Sequence, residues 1–378
     1  MRILFITHCR EFAGANRSML QLIIELQTKY NIRPFVLIPQ GNVNVTNIKE
    51  KLVKSSVPFF EYPIIYFKTI TPQSRKGYIK YIISLWKLSK KLKPYDFDLI
   101  HSNSSVIDIG GYLSLFMGIP HIWHLREYGD IDYNLFPVFG KWYERLTYKN
   151  AKAFIAISKS IKEYFKDRIQ ERKIHVIYNG IPLLDDINLS QHTDKTLHFF
   201  CAGIMVEGKN QMEILQAAKI MEDRGVKGYD ITFVGIQTPY VDIMKNYILE
   251  QGLADRCKIL DEIDGISSIL KGMDVGIVPS KCEAFGRVTV EYMLQNLAVI
   301  ANDQGANTEI IEDGKSGLIY KRGDEIALAN CMLRLMKDRE LLIDLSRNGR
   351  ERAKKLFLSQ YNTKAICELY SKVLNEKM

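Results

Sequence analysis

The 378-residue sequence lacks any stretch near the ~18–20 consecutive apolar residues of a membrane-spanning helix. Its first apolar run, Ile3-Leu4-Phe5-Ile6, is too short for a signal peptide and passes at once into polar residues. Cysteines are few and scattered: Cys9, Cys201, Cys257, Cys282, Cys331 and Cys367 form no Cys-x-x-Cys pair, and no His stands at metal spacing. That excludes a disulfide framework and a zinc ribbon, and makes a reducing cytoplasm the expected compartment. Short-period repeats, low-complexity tracts and heptads are absent too, which excludes solenoids and coiled coils.

Hydrophobic residues make up 47% of the chain and charged residues 25%, the balance of a globular protein with enough length for two cores. Net charge is +9 and unevenly spread, because residues 1–180 hold 27 Lys and Arg against 14 Asp and Glu. The first half is therefore expected to meet something anionic. Its densest stretch, Arg75 to Lys93, carries seven Lys/Arg and no acid, with Tyr78, Tyr81, Ile82, Ile83 and Trp86 between them. This pattern fits a basic amphipathic helix resting on an anionic membrane surface, or a solvated helix face packed by its apolar stripe. No nucleic-acid recognition module is present, so nucleic acid is not an expected partner.

Short β-branched or aromatic runs alternate with longer stretches of helical period, as in Met19, Leu22, Ile23 and Leu26. Strands are expected at Ile3–Thr7, Phe35–Pro39, Leu99–Ser102, His121–Leu125, Phe154–Ser158 and His175–Tyr178. A polar stretch, Asp185 to Thr196, reads as a linker. The alternation then restarts with Leu197–Ala202, Ile231–Gly235, Lys258–Leu260, Val275–Pro279, Ala298–Ala301 and Gly317–Tyr320. Two doubly wound α/β domains in tandem follow, with ligands expected at the carboxyl ends of the strands, in a cleft between domains.

The segment richest in chemistry is Pro279-Ser280-Lys281-Cys282-Glu283-Ala284-Phe285-Gly286-Arg287-Val288-Thr289-Val290-Glu291. A buried strand runs into a turn and a helix opens near Gly286, where free N–H groups and the positive dipole end attract phosphate. Glu283 precedes that opening and Glu291 lies about one and a half turns beyond it. Two carboxylates flanking a phosphate cradle suit a ligand with hydroxyls on both sides of a diphosphate. Solvated surface charge is the bland reading of the same pair.

With Ala298-Val299-Ile300-Ala301 and Gly305-Ala306-Asn307-Thr308-Glu309-Ile310 behind it, Glu283-x7-Glu291 resembles the signature of the large Glu-x7-Glu family of retaining GT-B glycosyltransferases, glycosyl transferases group 1 or family 4. Gly14-Ala15-Asn16-Arg17-Ser18 is similar to the family's Gly-rich loop. Ala156 to Ser160 and Val176 to Ile181 are similar to the strands before its hinge. Gly203 to Gln211, through Lys209, is similar to its phosphate loop, and Asp313-Gly314-x-x-Gly317-Leu318 follows in the expected order.

The resemblance implies two Rossmann-like domains facing across a cleft: 1–180 on the acceptor side, 181–358 binding the nucleotide sugar, and a last helix, 359–378, returning to the first domain. It implies a hexosyl transfer from a nucleotide-diphosphate sugar, UDP foremost, to a hydroxyl of a surface glycan or its lipid carrier, without metal or cofactor. Glu291 would bind the ribose, and Glu283, itself a catalytic candidate, would hold the donor sugar. Backbone amides at Phe285 and Gly286 would face sugar and diphosphate, and Lys209 would neutralise the latter, with Gly14 lining the donor site. Asn16 and Glu127 would lie on the acceptor side. Two departures stand out: Ile204 replaces the usual Arg after Gly203, with Arg287 near enough to substitute, and Ala13-Gly14 replaces two glycines, with Asn16 where an acid is common.

In Trp123-His124-Leu125-Arg126-Glu127, strand alternation puts His124 and Arg126 on one side. Both are candidate catalytic residues, since the family's His falls nearer Arg126 when counted from Pro120. Asp96-Phe97-Asp98 and Asp130-Ile131-Asp132 match an Asp-x-Asp metal motif of another glycosyltransferase fold, but are read as non-metal. A catalytically weak nucleotide-sugar binder or a nucleotide-sugar epimerase is the rival reading; a phosphorylase would need a pyridoxal lysine motif and much more chain.

Overall fold

The computed structural model describes residues 1–41, 47–70, 75–183, 196–261 and 267–375. The expected linker, apart from Thr196, and the last three residues of the expected final helix, 376–378, lie outside these. The chain divides into two compact units, Met1–Pro182 with Ser359–Met378, and Leu183–Leu358.

The first unit holds β1 (Arg2–Ile6), β2 (Arg33–Pro39), β3 (Phe59–Tyr62), β4 (Lys68–Thr69), β5 (Leu99–Ser102), β6 (His121–Leu125), β7 (Phe136–Pro137), β8 (Ala153–Ala156) and β9 (Ile174–Val176). Seven form one parallel sheet in the order β3-β2-β1-β5-β6-β8-β9, while β4 and β7 make a separate antiparallel pair. Ile3, Leu4, Phe5 and Ile6 are all fully buried, so β1 has no polar face and must be covered on both sides. The helix Gly14–Tyr30 supplies one cover through Met19, Leu22, Ile23 and Leu26. The strand order reverses at β1, so right-handed crossovers put the helices Arg75–Leu92, Ile109–Met117 and Lys141–Lys149 on the other face. There the ring of Trp123 stands edge-on to Tyr148 at 4.7 Å.

The helix Ser359–Asn375 joins the first cover, burying Ile366, Leu369, Tyr370 and Val373 in the same cluster. Gly180 permits the approach, because a Cβ there would stand 2.5 Å from Cα of Ser359. The Ser359 N–H donates to Ile181 O at 3.0 Å and Asn362 Nδ2 to Tyr178 O at 2.6 Å, which fixes the helix start.

The second unit holds β10 (Leu197–Ala202), β11 (Tyr229–Val234), β12 (Cys257–Leu260), β13 (Val275–Val278), β14 (Ala298–Asn302) and β15 (Leu318–Tyr320), parallel in the order β12-β11-β10-β13-β14-β15. The helix Arg287–Leu294 lies close over this sheet because Gly276 has no side chain; a Cβ there would be 2.1 Å from the Tyr292 ring. Tyr292 Oη in turn accepts the Ala202 N–H at 2.6 Å. The helical end of this unit breaks at Asp338 as well as near Phe357, since the Asp338 side chain caps the helix Arg339–Leu356 through the Leu341 N–H at 2.9 Å. Among the described residues no helix is long and apolar enough to cross a membrane.

Candidate active site

In the second unit, Lys209 Nζ meets Glu283 Oε1 at 2.5 Å, and Arg287 Nη2 meets Glu291 Oε1 at 3.0 Å, one helical turn apart. Between the two pairs lies Gly286, the residue before the helix Arg287–Leu294, with φ +79°. Phe285 is buried edge-on to Phe357, its ring centroid at 5.8 Å, and so anchors the turn. Glu283 is held from behind: its carbonyl accepts the Ala306 N–H at 2.8 Å, and Gly305, at φ +61°, would drive a Cβ to 2.1 Å from that oxygen. The Lys281 N–H donates to Gly208 O at 3.0 Å, tying the loop of Lys209 to that of Glu283.

Two buried oxygens beside Gly286, Thr289 Oγ1 and Asn307 Oδ1, have no hydrogen-bond partner among the described residues. An unsatisfied buried acceptor or hydroxyl costs about 1–3 kcal/mol, a cost that a polar ligand group or a water beside Gly286 would remove. Both stand within the motifs quoted above, where neither carried an assigned role. Thr289 follows Gly286 at the i+3 spacing that returns a side chain to the helix opening, which was the available signal. Ile204 is 40% exposed and brings no charge, while Arg287 is engaged with Glu291.

In the first unit the candidates gather at the carboxyl ends of β1, β5 and β6. Arg126 Nε donates to Asn103 Oδ1 at 2.5 Å, its Nη1 to Asn179 Oδ1 at 2.6 Å, and its Nη2 meets His124 Nδ1 at 3.3 Å. The expected shared side of His124 and Arg126 is thus realised by direct contact. A guanidinium only donates, so His124 Nδ1 must accept. His101 Nε2, 3.1 Å from the same atom, therefore carries a hydrogen, and His101 Nδ1 accepts from Tyr370 Oη at 2.6 Å. The chain of bonds leaves the His124 hydrogen on Nε2, a buried atom that no described protein acceptor reaches. Burial, with the charge of Arg126 second, drives the pKa of both rings well below the usual histidine range, so both are neutral at neutral pH.

Glu127 Oε1 accepts from Ser104 Oγ at 2.6 Å and from the Ser105 N–H. Asn16 is fully buried and braces the loop after β1: Nδ2 donates to Cys9 O at 3.0 Å and Glu11 O at 2.8 Å, while Oδ1 accepts from Thr7. Gly14 opens the helix behind that loop, and Asn103 Nδ2 reaches Ala15 O at 3.2 Å. Asn103, His101 and Tyr370 belong to this cluster although no motif marked them, and Asn179 joins it from the Val176–Ile181 motif, which carried no site role for it.

Neither Asp-x-Asp triplet forms a pair of free carboxylates. Asp98 accepts the Arg2 N–H at 2.7 Å at the amino end of β5, and Asp132 accepts the Tyr128 and Gly129 N–H groups at 3.0 and 2.7 Å. Burial raises Asp132 to about 6. Among the described residues no three His, Cys, Asp or Glu side chains cluster as a metal site.

Residues 12–183 match the family model of Glycosyltransferase Family 4, and residues 185–352 that of Glycosyl transferases group 1. An uncharacterised glycosyltransferase of Methanocaldococcus jannaschii is 28% identical over 282 residues, 73% of this chain and 76% of the relative. The UDP-Gal:alpha-D-GlcNAc-diphosphoundecaprenol alpha-1,3-galactosyltransferase of Escherichia coli is 27% identical over 294 residues, 72% and 74% of the two chains. Among solved structures, Anabaena HepE in complex with UDP superposes with a TM-score of 0.82 over 98% of this chain and all of the other, at 20% identity. The fold is GT-B, and the chain belongs to the group 1, family 4 glycosyltransferases.

Proposed function

We propose that the protein is a retaining, metal-independent hexosyltransferase that uses a nucleotide-diphosphate sugar, UDP-linked first among them, and a hydroxyl acceptor on a surface glycan or its lipid carrier. The carrying observation is the double ion pair around Gly286, with the unpartnered oxygens of Thr289 and Asn307 beside it. Lys209 and Arg287 can turn from their carboxylates to the diphosphate, with the N–H groups of Phe285, Gly286 and the helix opening completing the field. Glu291 is then free for the ribose hydroxyls and Glu283 for those of the sugar. In the transfer step the bond from the anomeric carbon to the diphosphate breaks and the acceptor oxygen bonds on the same face. The acceptor proton passes to the departing phosphate oxygen.

The Escherichia coli relative's name gives a UDP-sugar donor and a diphosphoundecaprenol acceptor, and the Anabaena neighbour holds UDP, which supports the donor and acceptor classes. A membrane surface fits the helix Arg75–Leu92, whose packing uses Tyr78, Tyr81, Leu85, Leu88 and Leu92. Ile79, Ile83 and Trp86, at i, i+4 and i+7, remain exposed beside Lys80, Lys87, Lys90 and Lys91. That second, outward apolar stripe is what a merely solvated face would not carry. A cytoplasmic protein lying on the inner membrane face accords with this. Exposed Ile204 favours the rival of a nucleotide-sugar binder without turnover.

The test is thermal shift with UDP, GDP and ADP, followed by turnover. A ligand at ~100 times its Kd adds about 2.7 kcal/mol of apparent stability, and Glu291→Ala removes most of it. Turnover that survives EDTA and gives a product with the donor's anomeric configuration supports the reading. Binding without turnover on any acceptor sinks it in favour of the rival.

A further inference from the structure

The first unit holds a cavity of about 240 Å³ that the transfer reaction does not use. It lies at the amino-terminal edge of β8 and β9, the end of the sheet opposite to His124 and Arg126. Tyr148 and Phe154 line it together with Arg145, Lys149, Arg168 and Lys173, and no carboxylate is among the lining residues.

Among the described residues three of the four cations lack a carboxylate, and Arg168 shares the ones it has. Arg168 reaches Glu144 at 3.6 Å and Asp130 at 4.0 Å, but Glu144 is shared with buried Lys68 at 2.6 Å. Lys173 Nζ donates only to the carbonyls of Ala151 and Lys149, at 2.9 and 3.3 Å, and Arg145 only to Asp167 O at 3.5 Å. Among the described residues Arg145, Lys149 and Lys173 have no carboxylate partner. Burial first, and the neighbouring charges of Lys152 and Arg172 after it, depress the pKa of Lys173.

The helix that supplies Arg145 and Lys149 gives the class of anion. It buries Tyr143, Glu144 and Tyr148 and turns Trp142, Arg145, Leu146 and Lys149 outward at i, i+3, i+4 and i+7. Trp142 is 66% and Leu146 53% exposed, within a turn of the cavity's cations. A site for a dissolved anion has no need of an exposed indole and leucine at its rim; a site at an acyl boundary does.

We propose that this cavity is a second anion site, one that takes the phosphate-ester headgroup of an anionic lipid while Trp142 and Leu146 enter the acyl boundary. It depends neither on the transfer chemistry nor on the lysines of Arg75–Leu92.

The full chain is floated with phosphatidylglycerol–phosphatidylcholine vesicles and with phosphatidylcholine alone. Calorimetry with inorganic phosphate and with glycerophosphoglycerol supplies the soluble arm. Arg145→Gln with Lys149→Gln, both exposed, is expected to keep its melting temperature and lose at least tenfold in affinity for the anionic vesicles and for the soluble headgroup. Lys87→Glu, Lys90→Glu and Lys91→Glu together are expected to leave binding of the soluble headgroup unchanged, which separates this site from the basic helix. Equal vesicle affinity of wild type and the Arg145/Lys149 variant overturns the proposal. Cavity-dependent phosphate binding with no preference for anionic vesicles overturns the lipid occupant.

Discussion

Tyr370 and His101 stand 269 positions apart in the chain, and the phenol of the first donates to Nδ1 of the second at 2.6 Å. The bond fixes the His101 tautomer and, through His101 Nε2, that of His124. Tyr370→Phe keeps the ring packing and leaves a buried acceptor unpaired, at a cost of about 1–3 kcal/mol. Urea unfolding monitored by circular dichroism measures it; a loss below about 0.5 kcal/mol would show that the phenol is not holding this tautomer.

Acid should destabilise the fold early. His101, His121 and His124 are buried and His8 is half-buried, and loss of solvation chiefly lowers the pKa of all four, His121 to about 3. The unfolded chain binds protons below about pH 6.5 and these rings do not, so their contribution is complete above that pH. It is lost as pH falls from about 6.5 toward each folded value, by about 1.4 kcal/mol per pH unit per ring. Denaturant midpoints from pH 7.5 to 4.5 test the sign. Asp108 and Asp132, each raised to about 6, offset part of this as they protonate, so stability that rises toward pH 4.5 would overturn the sign.

Gly305→Ala should act on the donor site from behind. The added Cβ would stand 2.1 Å from the Glu283 carbonyl, and φ +61° already disfavours a side chain, so the Glu283 loop must move. Backbone strain of about 1–3 kcal/mol and at least tenfold weaker nucleotide binding are expected. Gly314→Ala is the control, since φ there is +71° with nothing within 4 Å of a Cβ. It should lose stability by a similar backbone penalty and bind nucleotide normally. Equal nucleotide affinity in both variants would separate Glu283 from the donor.

Legibility followed the reach of each interaction. β1 and β13 are short apolar runs, and β5 and β6 carry Leu99-Ile100 and Ile122-Trp123 between turn signals, so their sequence alone marks them. β3 escaped because Phe59–Tyr62 is an edge strand, half-buried, with Glu61 in its middle. The Glu283–Lys209 pair was accessible only as two motifs in the expected order, and its 2.5 Å contact crosses 74 positions. The Tyr370–His101–His124 chain left no local trace, because its spacing is set by sheet order and by the returning helix.

The first unit's cluster makes the sharpest claim about chemistry. His124 presents an Nε2 hydrogen that no described protein group accepts, so at a bound ligand it is expected to donate rather than abstract a proton. Arg126 holds Asn103 and Asn179 at 2.5 and 2.6 Å and sets the electrostatic field of the same cluster. His124→Ala should lower kcat by roughly 10²-fold with the donor Kd little changed, the pattern of an interaction made mainly in the transition state. His124→Gln, whose amide can still donate, should recover part of that loss. Arg126→Ala should cost at least as much, because it frees two asparagines and the His124 ring together. Rates near wild type for both alanine variants would make this strand end structural and place catalysis on other residues of the first unit. A kcat for His124→Gln no better than for His124→Ala would refute donation as the role of Nε2.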